Sequence, residues 1–134
     1  VYKRQVAECG GFMYLHESMT DEEGENWPMA GVITGNCHNR GKLVRFGYVN
    51  VMEQTSHFLA GKPVRAHEFH YYDSDNNGES CVAVKPVSGT SWTCIHEDDR
   101  NWWGYPHLYY PSNPAFVEHF VQAARLYHRE RNAK

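Results

Sequence analysis

A cysteine in a glycine-flanked turn, Cys9, constrains this chain more than any other feature. Residues 6–7 end a predicted buried strand, the two glycines after the cysteine are expected to let the backbone turn tightly, and residues 12–15 (FMYL) begin an apolar run of helical character. A strand–turn–helix of this kind exposes the side chain at its apex and points N–H groups, here that of Gly10, at an oxyanion formed there. It also places sulfur near the positive end of a helix dipole. We therefore predict a nucleophilic Cys9 whose thiolate is favoured over the thiol, rather than a small buried side chain.

The bulk properties indicate one soluble domain. The chain has 134 residues, and 41% of them are hydrophobic. This length is enough to form one hydrophobic core but too short for two independent ones. Its net charge of −3 is spread along the sequence, so no basic stripe predicts a nucleic-acid partner. No apolar run reaches membrane-spanning length and no signal peptide is recognisable, so we predict no membrane association and a cytoplasmic location. The four cysteines are too sparse for a disulfide framework.

The first five residues, VYKRQ, have a separate interpretation. They are the residues encoded by GTGTATAAGAGACAG, the transposon end used in preparing sequencing libraries. We therefore expect residues 1–5 to be a non-native adapter scar, with native sequence in residues 6–134 and an upstream portion missing.

Periodicity and turn signals predict an α/β sheet. A short helix is expected over residues 11–19, an acidic loop over residues 20–26, and a long helix over residues 114–131, with Asn113 as its cap and Pro114 in its first position. Strands are expected over residues 42–52, 64–72, 80–87, 91–96 and 104–110. Alternation of strands and helices around a cysteine turn favours the α/β class.

Three segments superficially resemble ligand-binding motifs. Residues 73–78 (DSDNNG) contain calcium-type ligands but lack a later glutamate at the required spacing, so a solvated hairpin tip is favoured. Residues 35–43 resemble a phosphate loop but have one residue too many and no Ser/Thr for magnesium. The Cys/His pairs at positions 37–38, 67 with 70, and 94 with 96 lack structural zinc spacing. We predict no metal site.

Cysteine chemistry at neutral pH requires an imidazole that accepts the thiol proton and later passes it to the leaving group. Of nine histidines, His107 is the best candidate, because it ends a predicted strand just before the loop that opens the final helix. Strand ends in an α/β sheet converge on one rim, so Cys9 and His107 are expected to meet across the sheet.

Three motifs then carry a family resemblance: residues 7–15 (AECGGFMYL), 64–71 (VRAHEFHY) and 107–114 (HLYYPSNP). Together and in this order they resemble the cobalamin-biosynthesis branch of the class I glutamine amidotransferases, and within it the C-terminal glutaminase domain of the cobyrinic acid a,c-diamide synthases. The resemblance implies a flavodoxin-like α/β sheet with flanking helices, its front part absent here. It also implies that Cys9 is the nucleophile and His107 the histidine that activates it.

The chain departs from the pattern at two positions. Other class I amidotransferases carry a glutamate two residues after the catalytic histidine, and Tyr109 stands there, so the third triad member is open. Ala66 replaces a usual glycine. Glu68 and His70 share one face of a predicted strand, and either orient His107, line the glutamine pocket, or make structural hydrogen bonds.

The function implied by the resemblance is hydrolysis of glutamine to supply ammonia for amidation of the a and c carboxylates of cobyrinate. ATP and Mg²⁺ would belong to a missing N-terminal synthetase domain, which would also bind the corrinoid, and no cofactor is expected in this chain. A non-catalytic scaffold that binds a partner, a metal-binding module, and amidation of another tetrapyrrole such as hydrogenobyrinate or a nickel sirohydrochlorin are the alternatives.

Overall fold

The computed structural model describes residues 4–133, so residues 1–3 of the expected adapter scar lie outside the described residues. In chain order the elements are β1 (Gln5–Glu8), α1 (Gly10–Tyr14), β2 (His16–Thr20), β3 (Asn26–Pro28), β4 (Ile33–Asn39), β5 (Arg45–Glu53), β6 (Val64–His70), β7 (Tyr72–Ser74), β8 (Cys81–Val84), β9 (Ser91–Cys94), β10 (His96–Glu97), β11 (Asn101–Gly104), β12 (His107–Leu108), a 3₁₀ turn (Tyr110–Ser112) and α2 (Ala115–Asn132).

The strands form three sheets, with strand orders β1-β11-β10, β12-β6-β5-β8-β9 and β3-β2-β4-β7. Most pairs are antiparallel, but β1 runs parallel to β11 and β2 runs parallel to β4. The α/β class predicted from the sequence is confirmed. The parallel β1–β11 pair matters most for the site, because it aligns Glu8 with Gly104, just before Cys9 and just before the segment that leads to His107.

The predicted helix over residues 11–19 is wrong beyond Tyr14, where α1 ends and β2 soon begins. The reason is tertiary. The carbonyls of Tyr14, Leu15 and His16, which would continue the helix, instead accept N–H groups from residues 30–33 at 2.8–2.9 Å. The His16 ring also contacts the Phe12 carbonyl at 3.0 Å, which satisfies an acceptor at the end of the helix. Strands β2, β3 and β4 were all missed by the sequence prediction.

The acidic segment at residues 73–78 is not a hairpin tip, contrary to the prediction. Strand β7 pairs with β4, whereas β8 pairs with β5, so the segment crosses from one sheet to another. Its carboxylates bind the protein itself: Asp75 contacts the His38 ring at 3.0 Å and accepts the Asn36 N–H at 3.2 Å. Asp75 therefore has hydrogen-bond partners within the protein.

The predicted C-terminal helix is confirmed as α2, within about one residue at each end. Asn113 stabilises the start of α2, because its Oδ1 accepts the Ala115 N–H at 3.2 Å. Its Nδ2 donates to the Leu59 and Lys62 carbonyls at 3.0 Å, which ties this end of the helix to the loop before β6. Phe116 anchors the first turn in the main core, where its ring packs edge-to-face on Trp102. The second half of α2 is largely exposed.

A pair of glutamates lies at the edge of this core. Glu53 uses both carboxylate oxygens to accept N–H groups of residues 57–59. Glu97 lies against it, takes a contact from the Cys81 thiol at 3.7 Å, and has a pKa well above its ordinary value. Burial is the main cause, and the neighbouring Glu53 carboxylate adds to it.

Candidate active site

Cys9 occupies a strained backbone conformation between β1 and α1, with φ 46° and ψ −106°. Its N–H donates to the Gly104 carbonyl at 2.9 Å and its carbonyl accepts the Met13 N–H at 2.9 Å, so β11 and α1 both hold it. The sequence prediction attributed the sharp turn to the glycines, and that attribution is wrong. Gly10 and Gly11 do not have positive φ, and the unusual conformation falls on Cys9 itself. Such strain is typical of a nucleophile elbow.

The expectation that this turn favours the thiolate is also wrong. Burial raises the pKa of the Cys9 thiol, and the Glu68 and Glu8 carboxylates raise it further. A hydrogen bond from the Gly10 N–H opposes the shift without reversing it. Helix α1 has only five residues, so its dipole contributes little. Cys9 at rest is therefore a thiol, and its chemistry depends on a base that removes the proton.

His107 lies on β12, the edge strand of the five-stranded sheet, opposite His67. Its side chain is half exposed. Its Nδ1 lies 3.9 Å from Oε2 of Glu8, the residue that immediately precedes Cys9. The structure thus brings the predicted base to the predicted nucleophile turn, across about a hundred residues of sequence.

Glu8 is the residue at this site that sequence reasoning missed. Its Oε1 accepts the Tyr110 hydroxyl at 2.8 Å and the Leu108 N–H at 3.3 Å. The pKa of the Tyr110 hydroxyl is raised, first by burial and then by this bond. The signal available in the sequence was the charge itself: a glutamate at the end of a predicted buried strand, directly beside the nucleophile.

Glu68 and His70 are both buried and share one face of β6. Glu68 Oε2 and His70 Nε2 are 3.8 Å apart, and neither atom has a hydrogen-bond partner within residues 4–133. His70 stacks on Tyr105 with ring centroids 3.8 Å apart, and its Nδ1 contacts the Tyr72 carbonyl at 2.6 Å. They line a cavity of about 30 Å³. Within the described residues neither makes a hydrogen bond or ion pair with His107, so of the three predicted roles the direct orientation of His107 is not observed.

A family model described as the CobB/CobQ-like glutamine amidotransferase domain matches residues 3–115. The chain belongs to this family. Its curated relatives include cobyrinate a,c-diamide synthases from Salmonella typhimurium (34% identical, 89% of this chain and 27% of the relative), Fusobacterium nucleatum (34%, 87% and 26%) and Picrophilus torridus (33%, 87% and 25%). The chain therefore spans about a quarter of the length of the curated relatives it matches.

In this amidotransferase domain an open cleft of about 760 Å³ lies beside His107. The volume falls in the range of small-molecule sites. Tyr109, two residues after His107, is exposed and lines the cleft, and its N–H donates to the Arg65 carbonyl at 2.8 Å. Position 109 therefore supplies no carboxylate to the imidazole, and the nearby carboxylate comes from β1 instead.

The other three cysteines of the domain are buried and unsuited to nucleophilic chemistry. Burial raises the pKa of Cys37 to about 11 and of Cys94 to about 12, and raises that of Cys81 strongly as well. All four cysteines are free thiols. Residues 4–133 contain no group of three or more His, Cys, Asp or Glu side chains placed to hold a metal ion. Nor is any helix in this part of the chain long and apolar enough to cross a membrane.

Proposed function

We propose that this domain hydrolyses glutamine with Cys9 as nucleophile and His107 as general base and acid, and supplies ammonia for amidation of the a and c carboxylates of cobyrinate. The observation that carries the proposal is the strained Cys9 turn, whose adjoining Glu8 carboxylate lies 3.9 Å from the His107 ring. Membership of the glutamine amidotransferase family and relatives named cobyrinate a,c-diamide synthase support the substrates.

The chemistry follows from the protonation state of Cys9. His107 takes the thiol proton as sulfur bonds to the side-chain amide carbon of glutamine, and the carbonyl oxygen becomes an oxyanion that the Gly10 N–H stabilises. As the C–N bond breaks, the imidazolium gives its proton to the departing nitrogen and ammonia leaves. Water then attacks the thioester with His107 again as base, which releases glutamate and regenerates the Cys9 thiol.

We also propose that the domain acts within a longer cytoplasmic amidoligase whose synthetase part binds the corrinoid and uses ATP and Mg²⁺. The share of the curated relatives that the chain spans supports this arrangement. Within residues 4–133, β1 pairs with β11 on one side and has no strand on the other. In the mechanism proposed for Cys9, the Gly10 N–H is the one donor assigned to the oxyanion. A neighbouring segment that pairs with β1 would cover this edge and add a second donor.

The test uses the full-length enzyme and the Cys9→Ser variant. We expect Cys9→Ser to abolish glutamine-dependent amidation of cobyrinate and leave ammonia-dependent amidation intact, because only ammonia production needs the thiol. A glutamine-analogue electrophile should label Cys9 in the wild type, as located by peptide mass spectrometry, with buried Cys37 as the internal control. Equal loss of both amidation activities, or labelling that is absent from Cys9, would refute the proposal.

A further inference from the structure

One carboxylate at the site has no role in the chemistry described above. Glu8 ends β1, adjoins Cys9, and places Oε2 3.9 Å from Nδ1 of His107. We propose that Glu8 is the positioning residue for His107, so that Cys9, His107 and Glu8 form the triad of this enzyme. This inference rests on the proposed glutaminase function and assigns its missing third member.

The carboxylate is fixed by two donors on the same oxygen. Oε1 accepts the Tyr110 hydroxyl at 2.8 Å and the Leu108 N–H at 3.3 Å, and the Glu8 side chain is only 20% exposed. Oε2 is left to face the imidazole. Because Leu108 follows His107 on β12, a single side chain ties the strand that ends at the nucleophile to the strand that carries the base.

No other carboxylate competes for this role within the described residues. His107 makes one ion-pair contact in residues 4–133, and it is the contact to Glu8. Glu68, the other carboxylate that influences Cys9, is buried beside His70 instead. Tyr109 is exposed toward the cleft.

A carboxylate at Nδ1 selects the tautomer that the reaction needs. It favours the proton on Nδ1, which leaves the Nε2 lone pair to accept the Cys9 proton, and it stabilises the imidazolium that results. The proton stays on the imidazole, and Glu8 remains a carboxylate throughout. The separation of 3.9 Å is longer than a hydrogen bond, and contacts of this kind commonly tighten when substrate binds.

The decisive variant is Glu8→Gln in the full-length enzyme. Two donors face the Oε1 position, so the amide oxygen of glutamine takes that position and its NH₂ group faces Nδ1 of His107. The variant therefore favours the tautomer protonated on Nε2, which cannot accept the thiol proton. We expect kcat for glutamine hydrolysis to fall on the order of 10- to 100-fold, less than for loss of the base itself, with the KM for glutamine little changed.

The spectroscopic readout is independent of activity. In protein labelled with ¹⁵N in the histidine rings, the His107 resonances should report protonated Nδ1 in the wild type and protonated Nε2 in Glu8→Gln. Glu8→Asp retains the carboxylate and should recover part of the rate. The matched control is Glu22→Gln, which makes the same change at an exposed carboxylate in the turn after β2 and should leave kcat unchanged.

The outcomes separate this inference from the function on which it rests. If the wild type hydrolyses glutamine and labels at Cys9 but Glu8→Gln keeps kcat within about twofold, Glu8 is not a positioning residue. A reduced rate with an unchanged His107 tautomer also overturns the inference, because it assigns Glu8 a purely structural role. A wild type that neither hydrolyses glutamine nor labels at Cys9 overturns the glutaminase function itself.

Discussion

Replacement of Cys9 by glycine should leave the folded domain more stable than replacement by alanine, because the strained conformation at Cys9 is one that glycine adopts freely. A non-glycine residue in such a region costs about 1–3 kcal/mol. Glycine also gains freedom in the unfolded chain, which removes about 0.4–1 kcal/mol of that benefit. We therefore expect the free energy of unfolding of Cys9→Gly to be higher than that of Cys9→Ala by roughly 0.5–2 kcal/mol. Both variants lack the thiol, but only Cys9→Gly relieves the strain.

The assay is denaturant unfolding of both variants in the full-length background, at one pH and with matched buffers. Gly10→Ala serves as the control for position, because a Cβ at Gly10 would meet nothing within 4 Å and Gly10 does not have positive φ. It should be neutral or slightly stabilising. If Cys9→Gly is no more stable than Cys9→Ala, the backbone at Cys9 is not strained and the turn is not a strained nucleophile elbow.

Two further changes test the base and the buried carboxyl. His107→Ala should lower glutamine hydrolysis by about 10²- to 10⁴-fold, whereas His70→Ala should cost less; a near-normal rate for His107→Ala would move the base to another histidine. Glu97 has a raised pKa in the fold, so it stays protonated where the unfolded chain has already lost the proton, and stability should fall as pH rises above the ordinary carboxyl range. Glu97→Gln should flatten that dependence and raise the midpoint of unfolding at pH 8, and an unaltered pH profile would contradict the assignment.

The turn at Cys9, the position of His107 and the final helix could be predicted from short segments of sequence. A small motif around Cys9 predicted the turn, and the placement of His107 before the final helix predicted its position at a strand end. Helix α2 was predicted within about one residue, because its apolar face and the Asn113–Pro114 start are local signals. Each of these features depends on residues that are neighbours in sequence, where propensity and side-chain chemistry act directly.

Tertiary pairing decided what the sequence did not show. Residues after Tyr14 form β2 because residues 30–33 donate to carbonyls that a longer helix would have used. The thiol at Cys9 is held protonated by burial and by Glu68, which is distant in sequence and meets it only in the fold. Glu8 reaches His107 because β1 and β11 align in parallel and deliver residue 107 to the end of β1. Short local motifs were enough to propose Cys9 and His107 as the reactive groups, whereas their protonation and partners followed from the fold, because both depend on burial, charges and hydrogen bonds between residues distant in sequence.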